Sequence, residues 1–338
     1  MKYPKLLHKG DTIGICAPSS GVSDDLFPRW ENAVSNVKAL GYNVIETATV
    51  RNRIKCASSD PATRAAEFMS LYENPDVAAI IPPWGGEFLM EILPLLDFEM
   101  LAVLPPKWIS GYSDITTLTF PLTLLSDVAT IHGSNFMNMG GASIDKSDLA
   151  VFEVMSNPQT VQHSAEFYSD YTPDFADPTK ETYHLGQKSE WKSLQGENSV
   201  SFNGRMIGGC MDTICKLIGT RFAPVPAFLE KYKQDGLIWT LESCEMAAAD
   251  IYRTFWQMRE CGCFKYCNGI IYGRPTGYSD TRDFTLMDAL ERGVSSLGVP
   301  VIYDADIGHV PPIMQIVNGA IGEVKFSDGK ATIKQKLI

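Results

Sequence analysis

The chain has 338 residues, 45% hydrophobic and 20% charged, with a net charge of −11 from 40 acidic and 29 basic residues. That length suits about two globular domains with a sizeable core, and an acidic balance without a basic run excludes a nucleic-acid polyanion as the expected partner. No apolar run approaches the ~18 residues that span a bilayer; with no signal-like N-terminal segment and eight cysteines that read as reduced thiols, a cytoplasmic protein is expected.

Residues 12–17 read as a short buried strand, followed by the turn 18–21 and a helix over 24–40 with Leu26, Trp30, Val34 and Val37 on one face. Gly41 stops that helix, and 42–46 is a second strand. Ser59-Asp60-Pro61 is a helix-start signal, with proline in the first turn. Residues 77–82 form a third strand, Gly85 and Gly86 a turn, and 88–96 a helix. Residues 107–110 are a fourth strand. It leads into Gly111-Tyr112-Ser113-Asp114, where an amphipathic helix begins and runs on through Leu125. Residues 128–132 are a fifth strand, and a helix from about 145 to 157 closes the first domain.

The polar stretch 158–199, with Tyr168, Tyr171, Tyr183 and Trp191, reads as a long connection with short strands. The second domain, 200–338, starts with a segment carrying Gly208 and Gly209. A helix through Met211, Ile214 and Leu217 follows. Residues 237–241 form a strand ending at Glu242, and 247–258 a helix. A strand at 269–272, a helix at 284–292 and a strand at 299–303 follow, the last leading to Gly308 and His309. The tail alternates as a hairpin turning at Asp328-Gly329. Alternating strands and helices imply a doubly wound, mostly parallel sheet, whose ligands sit at the carboxyl ends of strands.

A serine at a strand-to-helix corner faces the positive end of the new helix, a suitable place for a nucleophile. Ser113 occupies such a corner, although capping the helix would also explain it. Nucleophilic catalysis needs a base and a group to orient it. Of five histidines, His132 and His309 both end strands beside glycine, and either could serve. Glu242 ends a buried strand, where a carboxylate is costly unless paired; Asp304 and Asp306 are further candidates for the orienting acid. The N–H groups of Gly86 and Asp114 are natural donors to an oxyanion. Cys261, Cys263 and Cys267 are crowded but lack the paired spacing of a zinc site. No phosphate-cradling glycine motif occurs, so no metal or cofactor is expected.

Gly10 to Ser20, Trp84-Gly85-Gly86, Gly111 to Thr116, Gly208-Gly209 with Thr213, Leu241-Glu242, and Asp306 to His309 fall in one order along the chain. Together they resemble the LD-carboxypeptidase and microcin C immunity family of serine peptidases. The resemblance implies a flavodoxin-like N-terminal α/β domain joined to a mixed β/α C-terminal domain. It implies a triad of Ser113, His309 and Glu242 at the seam, an oxyanion hole from Gly86 and Asp114, no metal, and a cytoplasmic homodimer.

Two substrate classes go with this resemblance. One is the murein tetrapeptide, cleaved to release D-alanine. The other is an aminoacyl group joined by an amide to a sulfamoyl or phosphoramidate adenylate. The long segment before Gly208 looks more like the second branch, with Trp191 as the residue expected to stack on the nucleobase. Cys210 stands where many relatives have asparagine, and Glu245 follows the triad acid; both are expected to bear on substrate choice. A catalytically silent ligand-binding module on the same scaffold is the alternative of another class.

Overall fold

The computed structural model describes residues 1–169 and 175–338; Tyr171, read above as part of the connection, lies outside the described residues. Strands β1 (Thr12–Ile15), β2 (Asn43–Glu46), β3 (Val77–Ile80) and β4 (Trp108–Ile109) form a parallel sheet in the order β2-β1-β3-β4. Its inner strands are apolar runs because helices cover both faces. Helix α1 (Phe27–Ala39) packs Trp30, Ala33 and Val37 with Ile13 and Ile15 on one side. Helix α2 (Pro61–Glu73) packs Phe68, Leu71 and Tyr72 with Val77 and Ile80 on the other. Its N-cap is Asp60, whose carboxylate accepts the Thr63 N–H at 3.0 Å.

The helix expected over 88–96 is instead a 3₁₀ segment, Leu89–Leu95, followed by a short helix α3 (Phe98–Val103). Pro94 lies inside that segment and has no N–H for an α-helical ladder. Helix α4 (Thr116–Ser126), expected to be amphipathic, is buried on nearly every side. A helix apolar all round belongs in a core, and α4 lies between the two halves of the molecule, against β5 (Thr130–His132) and the second sheet. Helix α5 (Lys146–Ser156) follows.

The remaining strands are β6 (Gln159–His163), β7 (Phe167–Tyr168), β8 (Gln187–Lys188), β9 (Lys192–Ser193), β10 (Ser199–Cys210), β11 (Leu237–Glu242), β12 (Cys267–Gly273), β13 (Val301–Ala305), β14 (Ile316–Asn318), β15 (Ile321–Ser327) and β16 (Lys330–Lys336). Eight of them make a mixed sheet, β6-β16-β15-β10-β11-β12-β13-β9. Both of its edge strands, β6 and β9, come from the stretch read as a connection. Their low apolar content suits an edge. The start of the second domain, read above without a strand, is the long strand β10: its first half pairs antiparallel with β15 and its second half parallel with β11. The tail hairpin β15–β16 turns where expected, with Ser327 opposite Lys330.

The fifth strand departs from a simple doubly wound sheet. β5 meets the first sheet only through a Ser110–Ile131 bridge and pairs antiparallel with β14, placing Ile316 opposite His132. Helices α6 (Met211–Leu217), α7 (Val225–Lys231), α8 (Ala248–Glu260) and α9 (Leu286–Val294) complete the fold. The carboxyl ends of β10 and β11 thereby face the start of α4, and the seam between the halves carries the candidate site.

Candidate active site

Ser113 opens the 3₁₀ turn that leads into α4. Its φ of +61° is the left-handed region, which costs a non-glycine residue roughly 1–3 kcal/mol. The surroundings hold it there. Asp114 is buried, and its carboxylate accepts the Ser19 hydroxyl at 2.5 Å, the Leu89 N–H at 3.0 Å and the Thr117 hydroxyl at 3.0 Å. Burial pushes the Asp114 carboxyl up, against those three hydrogen bonds. One side chain thus ties the serine corner to the loop after β1 and to the segment after β3.

Gly85 is a close-approach glycine. A Cβ there would stand 2.8 Å from the Ser113 Cβ and 2.9 Å from the Asp114 nitrogen. Among the described residues, no protein group accepts a hydrogen bond from the N–H of Gly86 or of Asp114. Both amides remain available for an oxygen of a ligand.

Glu242 ends β11 and is fully buried, opposite Cys210 across the parallel ladder. His309, in the loop between β13 and β14, places Nδ1 2.9 Å from Oε2 of Glu242. Gly308 makes that approach possible: its φ is +100°, and a Cβ would lie 2.5 Å from the Glu242 Cγ. Gly308→Ala is therefore expected to cost roughly 1–3 kcal/mol by overpacking, read as a lower urea midpoint, and to slow turnover by spreading the pair.

The His309 ring meets the Tyr112 ring edge-on, with centroids 4.8 Å apart, so it stands beside the residue preceding Ser113. Its Nε2 is buried and makes no hydrogen bond of normal geometry among the described residues, although the Cys244 thiol lies against the ring. No hydrogen bond joins it to Ser113 in this conformation among the described residues; such contacts commonly tighten only when substrate binds. Burial opposes a charged imidazole, but the carboxylate of Glu242 and the thiol of Cys244 outweigh it and raise the His309 pKa well above the ordinary histidine range. Burial likewise opposes the Glu242 carboxylate, yet His309 holds its pKa down. Both shifts point the same way: each of the two groups favours the charged form of the other.

The other candidates separate clearly. His132 is fully buried, with Nε2 3.7 Å from the second oxygen of Glu242. It therefore lies against the acid rather than in the cleft. Asp306 is buried in a cluster with Arg274, Ser189, Trp191 and the Ala165 N–H. Asp304 pairs with Lys192 at 2.7 Å. Neither aspartate orients a histidine. His8, His163 and His184 are exposed.

Trp191, expected to stack on a base, is only 1% exposed and packs with Met206, Ile302 and Ile316. Its indole N–H is bonded to Asp306 at 3.0 Å. With both faces in the core it offers no platform in this conformation. Trp191→Ala is expected to cost about 3–5 kcal/mol of stability, measurable by urea denaturation. The open space beside His309 is a cleft of ≈ 840 Å³ lined by Tyr112, Tyr168, Glu245, Arg274 and Tyr278. Glu245 lines the cleft, whereas Cys210 is buried against Glu242 and does not line it. Sequence reasoning missed Asp212, whose carboxylate accepts the N–H groups of Cys244 and Glu245 at 2.9 and 3.0 Å and fixes the loop after the acid. Its position in the first turn of α6 was the available signal.

Cys210, Glu242 and His309 offer donor atoms within 4.8 Å of one another, the one such group among the described residues. A thiol, a carboxylate and an imidazole are ligands zinc accepts, but an ion there would displace the proton that His309 shares with Glu242. Cys261, Cys263 and Cys267 form no such group among the described residues, and all eight cysteines are free thiols.

Comparison with known proteins fits this geometry. The LD-carboxypeptidase N-terminal domain model matches residues 13–133 and the C-terminal domain model residues 203–324, together more than half of the chain. The chain belongs to the LD-carboxypeptidase family. This family member is 27% identical over 335 residues to a Vibrio cholerae protein that carries a carboxypeptidase name, covering 97% of this chain and 96% of that one. It is 23% identical to the Escherichia coli microcin C7 self-immunity protein MccF, over 97% of this chain and 94% of MccF. Among solved structures, an MccF-like protein from Bacillus anthracis superposes with a TM-score of 0.84 at 24% identity, covering 99% of each chain. MccF in complex with aspartyl sulfamoyl adenosine gives 0.83 at 21%, covering 100% of each. The family and its carboxypeptidase-named members make this LD-carboxypeptidase relative a peptidase. No helix among the described residues is long and apolar enough to cross a membrane.

Proposed function

We propose that the protein is a serine-type amidase with Ser113 as nucleophile, His309 as base and Glu242 as the acid that orients it. The hydrogen bond from His309 Nδ1 to Glu242 carries this reading, because it leaves Nε2 as the nitrogen free to serve, on a ring that already packs on Tyr112, the residue before Ser113. In the neutral enzyme form, Nε2 takes the Ser113 proton as Oγ attacks the carbonyl carbon. The oxyanion is met by the N–H groups of Gly86 and Asp114. The imidazolium, stabilised by Glu242, returns the proton to the leaving nitrogen as the C–N bond breaks. Water then hydrolyses the acyl-enzyme by the same proton route.

The substrate we favour is an aminoacyl group in amide linkage to a nucleotide-like sulfamoyl or phosphoramidate. The likeness to MccF, which has been captured with aspartyl sulfamoyl adenosine, supports it. Release of free aspartate from that compound is the expected result. Release of D-alanine from a murein tetrapeptide, with the sulfamoyl compound untouched, would move the protein to wall-peptide processing instead. Turnover is expected to survive dialysis against EDTA. Loss of activity that returns with zinc would put a metal on Cys210, Glu242 and His309 and end the metal-free reading. A cytoplasmic homodimer, with its nucleophile in 1–157 and the triad partners in 200–338, is the organisation that goes with this proposal.

A further inference from the structure

His132 ends β5 and is fully buried, so no part of it meets the cleft. Its Nε2 and Oε1 of Glu242 face each other at 3.7 Å. Both atoms are buried and neither makes a hydrogen bond of normal length among the described residues, although the Cys210 thiol also lies against the Glu242 carboxylate and helps to hold its pKa down. The opposite nitrogen, Nδ1, stands 3.5 Å from the hydroxyl of Thr116. That hydroxyl already accepts the Cys210 N–H at 3.2 Å. A hydroxyl that accepts from an amide has its own proton to give, and Nδ1 of His132 is within reach to take it. The remaining ring proton then belongs to Nε2, aimed at Glu242. Burial also holds this imidazole neutral, pushing its pKa down to about 4 against the pull of Glu242 and with the push of His309. The contact is therefore a neutral donor closing on a carboxylate rather than an ion pair.

We propose that His132 is a positioning residue that holds the second oxygen of Glu242, so that the first stays on Nδ1 of His309. The proposal rests on the triad reading given above. A carboxylate held at one oxygen alone can turn about its last torsion, which is broad. Held by His309 on one side and His132 on the other, with Cys210 on the adjoining strand, it keeps one orientation through the proton transfers.

The first test needs no activity. Long-range proton–nitrogen NMR of the wild-type imidazoles, with the His132 signal assigned by its loss in His132→Gln, is expected to show a neutral Nε2–H tautomer from pH 5 to 9. An Nδ1–H tautomer, or an imidazolium in that range, overturns the proposal. The second test follows acylation of Ser113 by a fluorophosphonate. In His132→Leu the limiting rate is expected to fall on the order of 10–100-fold, the size seen when a partner of a catalytic ligand is lost, with the half-saturating probe concentration unchanged. Without the His132 donor, more of the Glu242 charge falls on His309, with only the Cys210 thiol left to share it, so the acid limb moves to higher pH. His132→Gln, which keeps an N–H at the ε position, is expected to stay within about 3-fold of wild type. A wild-type rate in His132→Leu, or a His132→Gln variant as slow as a folded His132→Leu, overturns the proposal. If His132→Leu does not fold, the tautomer and His132→Gln still decide. Failure of the triad reading is a separate result, seen as full activity in Ser113→Ala.

Discussion

Ser113→Ala is expected to lose amide hydrolysis by a factor on the order of 10⁴–10⁶ while melting within a few degrees of wild type. The loss is large because, in the proposed mechanism, the hydroxyl oxygen is the atom that becomes acylated. The fold is spared because the corner is held by Asp114, through Ser19, Leu89 and Thr117, and by Gly85 packed against the main chain. Alanine at φ +61° carries about the same backbone strain as serine. Turnover measured by release of the leaving group, beside a thermal melt, checks both halves. Retained hydrolysis in the folded variant would take the nucleophile away from Ser113.

Glu242→Gln is expected to lower kcat by about 10²–10⁴-fold and to move the acid limb of kcat/KM to lower pH. The sign follows from the charges. Glu242 stabilises the His309 imidazolium and raises its pKa despite burial. The base is inactive while protonated, so wild-type activity falls as pH drops through that raised pKa. Removing the negative charge leaves burial as the dominant influence, and burial favours the neutral ring. Activity that remains in the glutamine variant should therefore persist to more acid pH than in wild type. A pH–rate profile of both proteins is the check; an unmoved limb would mean that Glu242 does not govern His309.

Much of the site could be anticipated from residue order because each piece sits where a strand ends. Ser113 follows β4, Glu242 closes β11, and His309 comes shortly after β13 behind a glycine. Strand ends are where ligand-facing groups collect in α/β sheets, although here β4 belongs to one sheet and β11 and β13 to the other, so that their meeting at the seam was not given by residue order. Residue order does not separate His132 from His309, since both read as ending a strand beside glycine, whereas in the structure only His132 does and His309 lies four residues beyond β13. The antiparallel pairing of β5 with β14 sets His132 in the interior, 3.7 Å from one oxygen of Glu242, while His309 meets the other at 2.9 Å, which is why His309 is the base in the proposed mechanism. Trp191 was misplaced for a related reason. Its neighbours are polar, yet the short strand β9 joins the edge of the second sheet and turns the indole inward onto Asp306. Pro94 explains the one helix that became a 3₁₀ turn, and the aromatic and aliphatic content of α4 foretold its burial only once both sheets were seen around it.

The account stands most directly on whether a buried histidine activates one particular serine. Wild-type protein treated with a fluorophosphonate and mapped by peptide mass spectrometry is expected to carry a single adduct on Ser113, formed at least 10³-fold faster than in His309→Ala. An adduct on another residue, or equal labelling rates in the two proteins, would contradict it.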